Sequence, residues 1–316
     1  MLCPFCLATN KSNMDRCSAC QRQLPADYVD YHSGWLSAFR APAIVTVIGF
    51  SGHGKTVYLA SLYYTLQNLA PRAWQEFFRQ GLTLKTLKVL YDNLGLLKRG
   101  KMPDPTISFP EPNIDRLHKV PKFGDRTLLI YDPPGESFEL DKFDDAIKEY
   151  AGFVKQSPCA LFLVSMTDMM KQFDSEDAVA DEMHRLLETY NVGMKNLGVR
   201  GKTQHLIVVY TKADRLLSHY SFPVEVIKCL ESSDVDGLGD IPSYMLGMKR
   251  NSQLLKDFTA ESLNARNFLA NARTNFKTVE FCAVSALGSE PVDERLIERI
   301  TPRRVIDPLL WVLDKS

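Results

Sequence analysis

Residues 44–56 read Ile44-Val45-Thr46-Val47-Ile48-Gly49-Phe50-Ser51-Gly52-His53-Gly54-Lys55-Thr56. The first five form a short apolar run, the pattern of a buried strand. From Gly49 onward the residues match G-x-x-x-x-G-K-[ST] at Gly49, Gly54, Lys55 and Thr56. Glycines let such a loop curl, so that backbone N–H groups across Ser51, Gly52 and His53 turn inward onto phosphate oxygens. Lys55 is expected to reach the β- and γ-phosphates, and the Thr56 hydroxyl to sit on Mg²⁺. Leu59, Leu62, Leu66 and Leu69 then recur at helical spacing. A helix starting there aims its positive end at the same anion. A chance lysine in a Gly-rich turn would require neither the strand before it nor the helix after it.

Working outward, the 316 residues suffice for one large domain or two modest ones. Lys+Arg and Asp+Glu stand at 38 each, so no global field favours nucleic acid or anionic lipid. No apolar run approaches the ~18 residues of a membrane helix, and no signal-peptide or lipidation pattern is seen, so a cytoplasmic chain is expected. Seven cysteines, an odd number, fit a reducing compartment better than a disulfide framework.

Four of those cysteines form two C-x-x-C pairs, Cys3/Cys6 and Cys17/Cys20. Two such turns close a tetrahedral Cys₄ site, and so short a segment needs the metal to fold. Residues 1–24 therefore read as a zinc ribbon. Residues 25–42 read as a linker without clear periodicity, although Tyr28, Tyr31, Trp35 and Phe39 suit packing rather than a free tether. His32 reads as a packing or surface residue.

The body reads as 43–316. After the first helix, residues 71–105 form an insertion: Trp74, Phe77 and Phe78, then Leu84, Leu87, Leu90, Leu94 and Leu97, predict one or two helices. A short edge strand is predicted at 107–109. Residues 126–131 are a clean strand running into Asp132-Pro133-Pro134-Gly135. An aspartate at such a strand end can hold Mg²⁺ through water, and the Gly135 N–H can meet a γ-phosphate. A helix is predicted through Phe143, Ile147, Tyr150 and Phe153. A strand at 160–165, a helix from Ser175 and a strand at 205–210 follow. The last strand leads into Thr211-Lys212-Ala213-Asp214. A carboxylate there can accept both edge N–H groups of guanine, a pair that adenine lacks, while the Lys212 stem lies along the ring. The interval from Asp214 to Ser285 exceeds the about 25–30 residues that one helix and one strand need. A helical insertion at 215–262 is predicted, then a helix at 263–276 and a strand at 278–284 ending in Ser285-Ala286-Leu287. A backbone N–H in that tripeptide could contact the guanine carbonyl. A closing helix is predicted at 305–313.

The ordered set 49–56, 132–135, 211–214 and 285–287 resembles the P-loop GTPases, the TRAFAC class in particular. The His53-Gly54-Lys55-Thr56 ending is similar to translation-factor phosphate loops, but nothing downstream is. The ribbon, the insertions and the terminal 304–313 stretch are more similar to bacterial GTPases of the double-GTPase type, associated with conflict and defence loci. The resemblance implies an α/β P-loop GTPase fold with a mostly parallel sheet flanked by helices, helical insertions and a small N-terminal zinc ribbon. It implies GTP/GDP, Mg²⁺ on Thr56 and Asp132, and Zn²⁺ on the four cysteines. It further implies a GTP-hydrolysing switch acting through protein partners, or alternatively a non-hydrolysing guanine-nucleotide scaffold. Nucleic acid fits the neutral composition poorly.

Three positions depart from the family pattern. Thr211 stands where asparagine is commonest. Glu136 stands where many members have glutamine; it could orient water, but its charge beside the γ-phosphate implies slow intrinsic turnover. The switch threonine has no certain match. Thr106 fits best, since Thr83 and Thr86 lie in helix-like sequence. Arg99 and Arg116 are the nearest arginines.

Overall fold

Strand β1 (Ala43–Ile48), buried along its whole length, lies in the middle of a seven-stranded sheet. The computed structural model describes residues 1–33, 41–104, 111–134, 153–165, 167–168, 176–232, 235–292, 295–296 and 299–316, with the backbone alone at 176–178. In chain order the other strands are β2 (Phe78–Gly81), β3 (Asn113–Val120), β4 (Gly124–Tyr131), β5 (Cys159–Val164), β6 (His205–Tyr210) and β7 (Val279–Ala283). Across the sheet they run β2-β3-β4-β1-β5-β6-β7. Strand β1 pairs in parallel with β4 and β5, and β5-β6-β7 continue in parallel. Strands β2, β3 and β4 pair antiparallel. The parallel strands are covered on both faces, which is why their sequences are nearly unbroken apolar runs.

One face, including Phe162, Val208 and Tyr210, packs under α5 (Glu176–Asn196) and α8 (Arg266–Asn275). The opposite face, including Val45, Val47, Leu161 and Val209, lies under α2 (Lys55–Tyr64) and α9 (Asp307–Lys315). Helix α7 (Ile241–Glu261) serves both layers. Its Tyr244, Met245 and Met248 join the second, and its Leu255 and Phe258 join the first. It thereby wraps the β7 rim, where Ser252 Oγ accepts the Phe281 N–H at 2.9 Å. With α6 (Val224–Glu231) it makes the 215–262 segment helical, as its length predicts.

The 71–105 segment holds a helix through Leu84–Leu97, as expected, but also a strand that the sequence reading did not foresee. A π-helical turn, Thr65–Leu69, and the short α3 (Ala70–Ala73) lead to β2, and only then to α4 (Leu84–Lys98). Trp74 and Phe77 are buried, and Trp74 Nε1 donates to Leu238 O at 2.8 Å, tying the two inserted segments together. Strand β3 has no counterpart in the sequence reading. Its Asp115 is fully buried, paired with Arg79 of β2 and accepting the Tyr63 hydroxyl at 3.0 Å. The strand predicted at 107–109 lies outside the described residues.

Part of the segment read as a linker is helical: α1 (Ala26–His32) is buried at Tyr28, Tyr31 and His32. His32 Nε2 lies 2.9 Å from Thr127 Oγ1, a packing role. Helix α1 and the cysteine segment together cover Ile44, Ile114, Leu129 and Tyr131 with Tyr28 and Leu7. Among the described residues no helix is long and apolar enough to cross a membrane.

Candidate nucleotide and metal sites

The loop after β1 turns tightly against β5. A Cβ on Gly49 would lie 2.6 Å from Leu163 O, so only glycine fits there. Gly54, at φ 78°, caps α2 in the left-handed region. Lys55 begins that helix, buried, with Nζ donating to Gly49 O at 2.8 Å and Phe50 O at 2.9 Å. Burial pulls its ammonium down to about 8, against an opposing pull from Asp132. Thr56 Oγ1 donates to Asp132 Oδ2 at 3.0 Å, so the start of α2 and the end of β4 meet there through two hard oxygens. His53 is buried too. Its Nδ1 lies 3.1 Å from Leu163 O, which can only accept, and burial pushes the imidazole down to about 4. That side chain supports the loop from behind, packed edge-on against Phe50.

The loop after β6 is bonded directly to the phosphate loop. Thr211 Oγ1 donates to His53 O at 3.0 Å, and Lys212 Nζ to Gly52 O at 3.1 Å. Threonine at this position thus still fastens one loop to the other. Lys212, itself at φ 53°, also pairs with Asp168, which accepts Ser165 Oγ at 2.7 Å and lies 3.3 Å from Arg215. Arg215 reaches Glu290 at 2.8 Å. Asp168, Arg215 and Glu290 were not singled out from the sequence, although Asp168 follows a strand end as the motif residues do. Ser285 is buried, its Oγ accepting the Gly288 N–H at 3.0 Å, and Ser61 Oγ donates to Ala286 O at 2.6 Å.

These loops enclose a cleft of about 580 Å³. Ser51, Gly52, Gly54, Lys55, Thr56, Thr211, Lys212, Asp214, Ala286 and Leu287 all line it. Gly49, His53, Asp132 and Ser285 are not among the residues that line it. Thr106, Gly135 and Glu136 lie outside the described residues. Thr83 and Thr86 are occupied elsewhere, Thr83 Oγ1 capping α4 and Thr86 Oγ1 accepting the Ile114 N–H at 3.0 Å. Arg116 pairs with Asp125 and stacks 3.9 Å over Tyr31.

At the N-terminus, the four cysteine sulfurs lie within 4.8 Å of one another. Cys3 and Cys20 Sγ are 3.9 Å apart, and Cys6 and Cys17 Sγ 3.5 Å. Tetrahedral Zn–S bonds of ~2.3 Å place sulfurs about 3.8 Å apart, so the set is compatible with Zn²⁺. Each pair sits in a turn closed by a left-handed residue, Leu7 or Gln21. Phe5 and Ala19 N–H groups point at Cys3 and Cys17 Sγ at 3.4 Å each, as suits thiolate ligands.

A sequence profile of the family described as Double-GTPase 2 (DO-GTPase2) matches residues 43–282. No curated protein matches. Among solved structures, a chain from "The Structure of the Mammalian SRP Receptor" is similar over 86% of this chain and 100% of its own, at 14% identity. The TM-score of that match is 0.36.

Proposed function

The chain belongs to the Double-GTPase 2 family, and from that premise we propose a guanine-nucleotide switch that turns over slowly alone and acts through protein partners in a reducing cytosol. The observation that carries the reading is the convergence of three loops on one cleft, with Thr211 and Lys212 bonded to the phosphate loop. Lys55 exchanges its carbonyl partners for the β- and γ-phosphate oxygens. Backbone N–H groups of 51–56 take the remaining phosphate charge. Thr56 and Asp132 would hold Mg²⁺, which would supply charge neutralisation at the phosphates. Asp214 accepts from the guanine edge, Lys212 lies along the base, and Ser285, Ala286 and Leu287 close its far side. Water attacks the γ-phosphorus, the bond to the bridging oxygen breaks, and GDP and phosphate result. Thr106 and Gly135 serve the γ-phosphate in this reading, and Glu136 orients the water.

The competing reading, a scaffold that holds the nucleotide without hydrolysis, is favoured by the charge of Glu136. Single-turnover rates decide between them. Glu136→Ala should slow hydrolysis while sparing GTP affinity. If the variant instead binds GTP more tightly and keeps the same slow rate, the scaffold reading stands.

Base choice tests the site itself. Asp214→Asn loses two charge-assisted bonds, and titration should show GDP affinity falling by roughly tenfold or more. Equal affinity of the wild type for ATP and GTP would overturn the assignment of this loop.

A further inference from the structure

Two side-chain hydrogen bonds tie the first cysteine turn to the body, one from Tyr131 and one from Gln156. Tyr131, the residue before Asp132, is buried and donates its hydroxyl to Pro4 O, between Cys3 and Cys6, at 2.9 Å. Gln156 Nε2 donates to Leu7 O at 3.2 Å. Between them, the Tyr131 and Phe153 rings lie against each other with centroids 3.6 Å apart, and both pack in the cluster containing Leu7. On the other side of Tyr131, Asp132 already meets Thr56 at the phosphate loop. Adjacent residues thus carry a bond to the cysteine turn and a bond to the nucleotide cleft.

We propose that Tyr131 and Gln156 are positioning residues through which the metal-loaded cysteine turn holds Asp132 in place for the nucleotide, so that metal binding and nucleotide binding strengthen one another. This rests on the guanine-nucleotide reading above and on a metal at the four cysteines. The Pro4 and Leu7 carbonyls are fixed only while their turn is fixed, and a tetrahedral ion on Cys3 and Cys6 fixes it. A bound nucleotide with Mg²⁺ orders Asp132 from the opposite side. Each ligand then meets a chain already ordered by the other, and linkage requires the same factor in both directions. A buried hydrogen bond of ordinary strength corresponds to a factor of about 3–10.

The test measures both directions on the full chain. GDP with Mg²⁺ is titrated calorimetrically into zinc-loaded and zinc-stripped protein. Zinc affinity is measured against a chromogenic chelator, with and without saturating GDP and Mg²⁺. Each ligand should tighten the other by about 3–10-fold. Tyr131→Phe should bring both factors toward one while the chain still binds zinc and GDP. Tyr28→Phe removes a different bond to the ribbon, its hydroxyl to Leu2 O at 2.8 Å, and should leave the coupling intact. Gln156→Ala, read in the same way, stands in if Tyr131→Phe does not fold. A wild-type factor of one, an undiminished factor in Tyr131→Phe, or a chain that takes up no zinc overturns the proposal. If zinc-loaded protein binds no GDP, the nucleotide reading fails with it. GDP binding that is uncoupled from zinc sinks the coupling alone.

Discussion

Lys55 places a buried ammonium against two carbonyls, so its protonation is sensitive to what enters the cleft. Burial holds it at about 8, below the ordinary 10.5. Between those values the unfolded chain keeps a proton that the folded chain has released, so this group makes stability rise with pH across that window. Nucleotide affinity moves the other way, because phosphates favour the charged form and binding must return the proton. GDP affinity should therefore fall as pH rises through about 8, by up to about tenfold per unit. Fluorescence titrations across that range check it, and Lys55→Ala should bind weakly with little pH dependence. A flat wild-type profile would mean that Lys55 does not meet the phosphates. Lys55, Thr56, Thr211 and Asp214 were legible in the sequence because spacing and strand ends mark them. Asp168, Arg215 and Glu290 were not, since their meaning lies in one another, across loops far apart in the chain.

Strands β1, β4, β5, β6 and β7 could be read directly, because their buried stretches are largely apolar. Strand β3 escaped for the opposite reason. Asn113-Ile114-Asp115-Arg116-Leu117-His118-Lys119 looks like solvated chain, yet Asp115 faces Arg79 and Tyr63 inside the protein. The Arg79 side chain is almost fully buried, its guanidinium 4.6 Å from the Tyr63 ring. Burial pushes the Asp115 carboxyl up while Arg79 pulls it down. Arg79→Met removes that pull and strands the carboxylate, at a cost of about 3–5 kcal/mol in urea denaturation. The double change Arg79→Met with Asp115→Leu should recover much of the loss. A single variant as stable as wild type would mean that the pair does not hold β2 to β3. Helix α1 was hidden for another reason: seven residues after Pro25 with no side-chain cap carry too little signal.

Over the whole molecule, the cysteine segment acts as part of the body, since Leu7 and Tyr28 close one face over β1, β3 and β4. Metal analysis should return about one zinc per chain. Stripping it should lower the thermal midpoint measurably, because each large apolar side chain released to water costs about 1.5–3 kcal/mol. An unchanged midpoint in metal-free protein would show that the fold of 1–24 does not depend on the ion. The inserted segments have a different consequence, which belongs to concentrated solutions. At one rim of the sheet the Phe281 N–H is already taken by Ser252. At the other rim β2 offers only four residues, and its Phe78 ring is stacked on His118 with centroids 4.0 Å apart. A second molecule trying to extend the sheet finds one border partly taken and the other only four residues long, so edge-to-edge pairing is disfavoured at both.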